Sequence, residues 1–368
     1  MVSKLFRGVT LFILSCSWIG AQPLKVLHLS FHQGCIKDFV YVAQQLKLDL
    51  TSLFIPALPP RWLDGETTGN AIYNIGHARA EKAWNKHKEF FEQFDVIITS
   101  DTAPLSRIFL QNGWKKPLVI WICNRFDYYD GASLDCKFPD PEYYELFRKA
   151  IHQSNVTIVA YTPYEHFYAQ QKNVYTGTLT ITPCAAPNNL VQKSSIPSGI
   201  AKSETFFITP YHNDTIFCNL ANICAQLGIP TYNGRYSGPG DIKDFKGVIH
   251  LPYAWSNLAL FENLANGLPY FIPSEKFILE LSKRGNYFFS NLSALTIKYS
   301  EWYLPEYKDV LVYFDSWQDL AHKIKTTDYG ALRKRIQVFA ENHRISMLNK
   351  WSAVFAKCSN VITKKDCV

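Results

Sequence analysis

The sequence is that of an α/β protein with two Rossmann-like, doubly wound parallel-sheet domains facing across a cleft. Three observations predict this class. Apolar runs of strand length alternate with amphipathic helical stretches through both halves of the chain. A polar, breaker-rich stretch, PNNLVQKSSIPSGIAKS, separates those halves at residues 187–203 and reads as a linker. The 368 residues are 47% hydrophobic and 19% charged, which suffices for two cores of ordinary size and argues against disorder.

The first half, residues 23–186, opens with the strand KVLHLSF, then Gln33-Gly34 and a helix from about Ile36. A second strand, LTSLFI, leads through the proline-rich PALPPRW to a long helix across AIYNIGHARAEKAWNKHKEFFEQF. DVIITS, PLVIWIC and NVTIVAY follow as strands, each trailed by a helical segment, and TLTITPC is a candidate for one more. The second half, residues 204–340, repeats the alternation with strands at TFFITP, IPTYNG, GVIHLP, LPYFIP and DVLVYFD. Its helices are expected at about Asp214 to Leu227, Asn257 to Asn266 and Ser274 to Arg284. SGPGD from Ser237 lacks the Lys-Ser/Thr ending of a phosphate loop and reads as a turn. A long helical stretch ends the chain, and its 341–368 portion is long enough to cross back to the first domain. No short repeat appears, which excludes a solenoid.

Lys4 and Arg7, the apolar run Val9 to Ile19, and Gly20-Ala21 give residues 1–21 the layout of a cleaved secretory signal. The run is shorter than the roughly 20 residues a spanning helix needs, so a cleaved signal is preferred to an anchor. Ile13-Leu14-Ser15-Cys16 also weakly matches a bacterial lipoprotein cleavage box. Acceptor sequons at Asn155, Asn213 and Asn291 are about as many as chance supplies. Nine cysteines match no zinc or Cys-x-x-Cys pattern; Cys358 and Cys367 are the readiest pair to bridge, and Cys123, Cys184 and Cys218 read as buried thiols. Net charge is +7 with Lys and Arg spread along the chain, which disfavours a nucleic-acid partner.

The densest signal is the octapeptide ENLANGLP, from Glu262 to Pro269. Gly267 suits the left-handed cap that ends a helix, and Pro269 cannot continue one. Ser256 and Asn257 stand at the start of that helix, where cap side chains, free amides and the positive dipole end suit an anion. Glu262, more than a turn further in, can meet two neighbouring hydroxyls such as those of a ribose. This stretch resembles the donor-binding helix of glycosyltransferases with the GT-B fold, in which a Glu before a small-residue run and Gly-Leu-Pro holds the ribose of a nucleotide sugar. The match is close over about a dozen residues and elsewhere rests on the order of elements. The resemblance implies donor contacts from Glu262, Ser256, Asn257 and Asn263, with diphosphate held by helix amides and basic side chains and no required metal or other cofactor. One departure stands out: Ala254 occupies the position where many retaining members carry a second Glu.

Other candidates fall where strands end. His32 follows the first strand and Asp101 ends DVIITSD, the placing of the His-Asp pair in inverting GT-B transferases. His32 is then the base that takes the acceptor proton and Asp101 its partner; His28, within the strand, reads as structural. Asn124, Arg125 and Asp127 follow PLVIWIC as acceptor-binding candidates, with Asp127 the reserve base. His212 and Arg235 follow two strands of the second half as donor-side candidates, Arg235 offering a planar fork of donors to diphosphate. Tyr299, Trp302 and Tyr303 either line a sugar pocket or cover the sheet edge. The resulting expectation is a lumenal, metal-independent glycosyltransferase, inverting with His32 as base, moving sugar from a nucleotide sugar to a glycan or glycoconjugate acceptor. The alternatives are a non-catalytic glycan-binding protein of the same fold and a two-domain extracytoplasmic solute-binding protein.

Overall fold

The computed structural model describes residues 22–59, 62–63, 73–128, 140–186, 194–210, 218–283 and 292–365. In the first half the order is β1 (Lys25–Ser30), α1 (Gln33–Leu46), β2 (Asp49–Phe54), α2 (His77–Phe91), β3 (Val96–Asp101), α3 (Arg107–Gln111), β4 (Leu118–Ile122), α4 (Pro141–Ala150), β5 (Val156–Ala160) and α5 (Pro163–Gln171). The second half gives β6 (Phe206–Phe207), α6 (Leu220–Gln226), β7 (Thr231–Tyr232), α7 (Pro239–Ile242), β8 (Gly247–Ile249), α8 (Leu258–Ala265), β9 (Tyr270–Pro273), α9 (Glu275–Ser282), β10 (Leu311–Phe314), α10 (Trp317–Thr326) and α11 (Tyr329–Lys365).

The strands form two five-stranded sheets, ordered β2-β1-β3-β4-β5 and β7-β6-β8-β9-β10, and every pairing is parallel. Both halves therefore carry the same doubly wound order, which reverses between β1 and β3 and again between β6 and β8. Ligands of such sheets bind outside the carboxyl ends of the strands at these reversals. Strands β3 and β4 are buried along their whole length, as expected for strands covered by helices on both faces.

Four readings are refined. TLTITPC contributes only an isolated bridge, Ala160 to Thr180, rather than a strand. Helix α1 starts at Gln33, three residues earlier than its apolar pattern suggests, because His32 caps it. SGPGD opens the helical turn α7, in which the Asp241 carboxylate accepts from Ser194, Ser195 and Ser237 and so ties the linker down. Trp302 and Tyr303 are buried, donating to the carbonyls of Ala254 and Pro273; they cover the sheet, while Tyr299 stacks on Phe167.

The largest apolar cluster is shared by both halves and the last helix. Helix α11 runs unbroken for 37 residues. Its Trp351, fully buried, meets Phe39 of α1 edge-on at 5.2 Å and Trp121 of β4 at 5.3 Å. Lys350 and Lys357 donate to the carbonyls of Thr180 and Val156. The helix also packs on α8 through Phe261, whose ring stacks with His343 at 5.3 Å. None of the described helices is long and apolar enough to cross a membrane. Cys358 is a buried free thiol, and Cys367 lies outside the described residues, so the proposed bridge has no counterpart among them. Of the sequons, Asn155 commits its amide to the carbonyls of Trp114 and Lys116; Asn213 and Asn291 lie outside the described residues.

Trp351→Ala removes the ring that joins α11 to the first sheet. It should destabilise the protein by about 3–5 kcal/mol, the usual cost of emptying a buried Trp site. Urea unfolding of the variant beside wild type checks this, and a loss under about 1 kcal/mol would deny α11 its clamping role.

Candidate functional site

The reversal points of the two sheets open onto one cleft of about 380 Å³. Its walls include His32 and Cys35 from the start of α1, Asp101 from the end of β3, and Cys123 and Asn124 after β4. Facing them are Tyr236, Tyr253, and the start of α8 with Ser256, Asn257 and Glu262. The two helix starts come very close. A methyl group at Gly34 would lie 2.0 Å from Leu258 Cδ2, so only glycine fits α1 against α8 without displacing that leucine.

A chain of hydrogen bonds positions the loop after β1. Buried His28 pairs its Nε2 with Ser100 Oγ at 2.8 Å, Ser100 donates to Ser30 at 2.9 Å, and Ser30 accepts from the His32 amide at 3.1 Å. Burial depresses the His28 pKa to about 3, so this ring stays neutral and structural. His32 caps α1: Nδ1 accepts from the amides of Gly34 (3.1 Å) and Cys35 (3.4 Å), which leaves the neutral ring's proton on Nε2. Its pKa is raised to about 9, first by its hydrogen bond with the Cys35 thiol, then by the charges of Cys35, Asp101 and Glu262, against the opposing effect of burial.

Asp101 holds a left-handed backbone, φ 71°, unusual for a residue other than glycine and a form of strain found at functional sites. Its carbonyl accepts from the amides of Cys123 and Asn124, and its carboxylate accepts from Asn124 Nδ2 at 2.9 Å. Burial raises its pKa to about 6, while His32 and Asn124 pull the other way. His32 and Asp101 thus face one cleft and interact through space; the hydrogen bond expected of a dyad goes to Asn124 instead.

On the opposite wall, Asn257 caps α8 by accepting from the Ala259 amide at 3.0 Å, and its own amide donates to the buried carboxyl of Glu301. Burial drives the Glu301 pKa well above the carboxylate range, and its Oε2 has no hydrogen-bond partner. Glu262 lines the cleft, its pKa raised to about 7 by burial and then by Asp38 nearby, with Lys37 and His32 opposing. Helix α8 ends as its sequence requires, with Gly267 at φ 71°.

Several candidates lie elsewhere. Asn263 is buried and donates its amide to the Tyr270 hydroxyl at 2.6 Å, so it braces α8 from behind. Arg235 is exposed outside the cleft lining, where its neighbour Tyr236 stands instead. Arg125 lies against the Tyr128 ring, and Asp127 accepts from Tyr144 (2.5 Å) and Tyr168 (3.2 Å); neither lines the cleft, which removes Asp127 as reserve base. His212 lies outside the described residues. The sequence reading missed Cys35 and Tyr253. Cys35 had a usable signal, its place one residue beyond Gly34 in the turn after β1. Among the described residues, no three His, Cys, Asp or Glu side chains are grouped to hold a metal ion.

No protein-family profile matches the sequence, and no curated protein matches it. Among solved structures the chain is similar to several glycosyltransferases. Arabidopsis thaliana UGT89C1 complexed with UDP-L-rhamnose aligns at TM-score 0.46 and 9% identity over 92% of this chain and 100% of that one. The glycosyltransferase SnogD from Streptomyces nogalater aligns at 0.43 and 13% identity over 90% and 100%. The pneumococcal O-GlcNAc transferase GtfA, in complex with UDP and GlcNAc, aligns at 0.43 and 14% identity over 77% of this chain and 60% of that one. The two parallel sheets with a shared cleft are the architecture that the GT-B resemblance of ENLANGLP implies.

The raised pKa of Glu262 sets a pH signature. Below about 4.5 the carboxyl is neutral in both folded and unfolded chains, and its burial is least costly. As pH rises, the unfolded chain ionises it first, so its contribution to stability falls until about pH 7 and then stays low. Glu262→Gln should therefore gain stability relative to wild type between these limits. Melting curves across that range check it, and parallel curves for the two proteins would contradict the half-buried, ionisable placement.

Proposed function

We propose that this protein transfers a sugar from a nucleotide-sugar donor to a glycan or glycoconjugate acceptor. The observation that carries the reading is the convergence of two helix starts, α1 and α8, on a cleft that also holds Glu262, His32 and Asp101. Helix starts supply positive potential for a diphosphate. Glu262, one turn into α8, is the acceptor for ribose hydroxyls, and Ser256 and Asn257 border the phosphates. Tyr236 and Tyr253 offer ring faces for the base or sugar.

In this reading His32 takes the proton from the acceptor hydroxyl, Asp101 steadies the imidazolium through space, and the sugar inverts. Asn124, hydrogen-bonded to Asp101, borders the acceptor side. The chemistry draws on the chain's own donors and needs no metal. Residues 1–21 direct the chain into the secretory pathway lumen, where such donors are imported. A solute-binding protein needs neither an ionisable group strained at φ 71° nor a carboxyl set at the start of α8, and the cleft holds Asp101 and Glu262 in those places.

Thermal melting against UDP, GDP and free sugars tests the class of ligand: stabilisation by a nucleoside diphosphate is expected, and stabilisation by free sugars alone would indicate a solute-binding protein. Glu262→Ala should weaken that nucleotide by about 1–3 kcal/mol, the loss of charge-assisted hydrogen bonds. Calorimetric titration giving wild-type affinity would remove Glu262 from the donor site. His32→Ala should lower turnover by about two to four orders of magnitude with nucleotide affinity nearly intact. Full activity in a transfer assay of that variant would end the base assignment and leave the donor site standing.

A further inference from the structure

The cleft holds two thiols that sugar transfer does not use. Cys35 stands in the first turn of α1 and Cys123 follows the end of β4; both are free and buried at the cleft wall, with their Sγ atoms 3.8 Å apart and hydrogen-bonded to one another. The sulfurs are in contact, and a disulfide bond holds them at about 2.05 Å. Cys123 is further held by the Trp121 carbonyl, to which it donates at 3.6 Å. We propose that Cys35 and Cys123 form a reversible disulfide that changes the surroundings of His32 in the cleft.

The chemistry starts at Cys35. Hydrogen bonding with Cys123 and with His32 draws its thiol down to about 7 despite burial, whereas burial drives Cys123 well above the ordinary thiol value. A start-of-helix position favours the same thiolate. The Cys35 thiolate attacks one sulfur of a low-molecular-weight disulfide such as oxidised glutathione, and the other sulfur leaves as a thiolate. Cys123, losing its proton to solvent, then attacks Cys35 Sγ and expels the second glutathione thiolate. Two protein thiols become one disulfide, and the two electrons reduce glutathione disulfide to two thiols.

Closure matters because of what faces His32. Those groups are Cys35 on its own helix, Asp101 from β3 and Glu262 from α8. Forming the bond removes the Cys35 thiol and its negative form, leaving only the two carboxylates to favour the cationic ring. The ring is therefore less basic in the oxidised cleft than in the reduced one.

The test uses the full chain equilibrated in reduced and in oxidised glutathione. Peptide mapping should find one cross-linked pair, Cys35 to Cys123, which dithiothreitol opens and which is missing from Cys35→Ser and from Cys123→Ser. Histidine NMR, with the His32 signal assigned by its loss in His32→Gln, should give a ring pKa that falls on oxidation toward about 6.5, the ordinary value. In Cys123→Ser, a milder change than at Cys35, the His32 pKa should not respond to glutathione. Absence of the cross-link while both thiols stay alkylatable overturns the proposal, and so does a cross-link that leaves the His32 pKa unmoved. Neither readout involves a nucleotide or a sugar, so failure here is distinct from failure of the transferase reading.

Discussion

The ring of Trp351, set edge-on against Phe39 and Trp121, is the contact on which the relative placing of the cleft walls depends. Parallel sheets leave their carboxyl ends as open loops, and a cleft built from two such ends needs something behind it to fix the gap. Helix α11 supplies this by touching α1 and β4 with Trp351 and α8 with His343, which stacks on Phe261. The helix starts that border the cleft, α1 and α8, are therefore braced from behind by one rigid rod. A polar latch adds to it: buried Asp38 of α1 accepts from the amides of Cys184 and Ala185, just before the linker. Two backbone donors lessen the cost of burying that carboxyl, although burial still lifts its pKa to about 7.

With the walls fixed, the cleft becomes a place where charge is costly and mutually dependent. Glu262, Asp101 and Glu301 are all held above the usual carboxylate range, each chiefly by burial. Positive potential from the starts of α1 and α8 works in the opposite sense, favouring negative charge near those helix ends. Carboxyls gathered without cations of equal number hold their protons more tightly, which is the direction in which all three are shifted. Glu301 belongs to this arrangement from below, since its Oε1 accepts the Asn257 amide and so steadies the first residue of the α8 cap.

The fold was legible because its signals are local and repeated. Strands such as PLVIWIC are apolar along their length, and Gly267 and Pro269 end α8 by backbone geometry that no tertiary contact overrides. The cleft was legible in part, through the rule that parallel sheets bind ligand at their carboxyl ends, which drew attention to His32, Asp101 and Asn124, and through ENLANGLP, which drew attention to Glu262. What the rule cannot give is side-chain direction. Asn263 is next to Glu262 in sequence but about 100° round the helix, hence in the core against Tyr270. Arg125 and Asp127 follow the same strand as Asn124, yet the chain turns there and sends Asp127 to two tyrosines of α4 and α5. TLTITPC alternates like a strand but meets β5 through a single bridge, because pairing depends on where the chain returns rather than on propensity. The thiol pair was illegible for the same reason: 88 residues separate Cys35 from Cys123, and only the parallel order β1-β3-β4 brings them together.

His32 carries a constraint that links these parts. A ring nitrogen that accepts amide hydrogens from Gly34 and Cys35 cannot also hold a proton, so protonation at Nδ1 must release both amides. The freed N–H groups belong to the first turn of α1, beside the cleft that α8 borders from the other side. Proton uptake by His32 therefore exposes two further donors at the moment the ring becomes positive, and both changes favour an anion in the gap. Under the proposed reaction the acceptor loses its proton as the departing diphosphate gains charge, so the two events draw on the same residue. In that reading the cap of one helix links them.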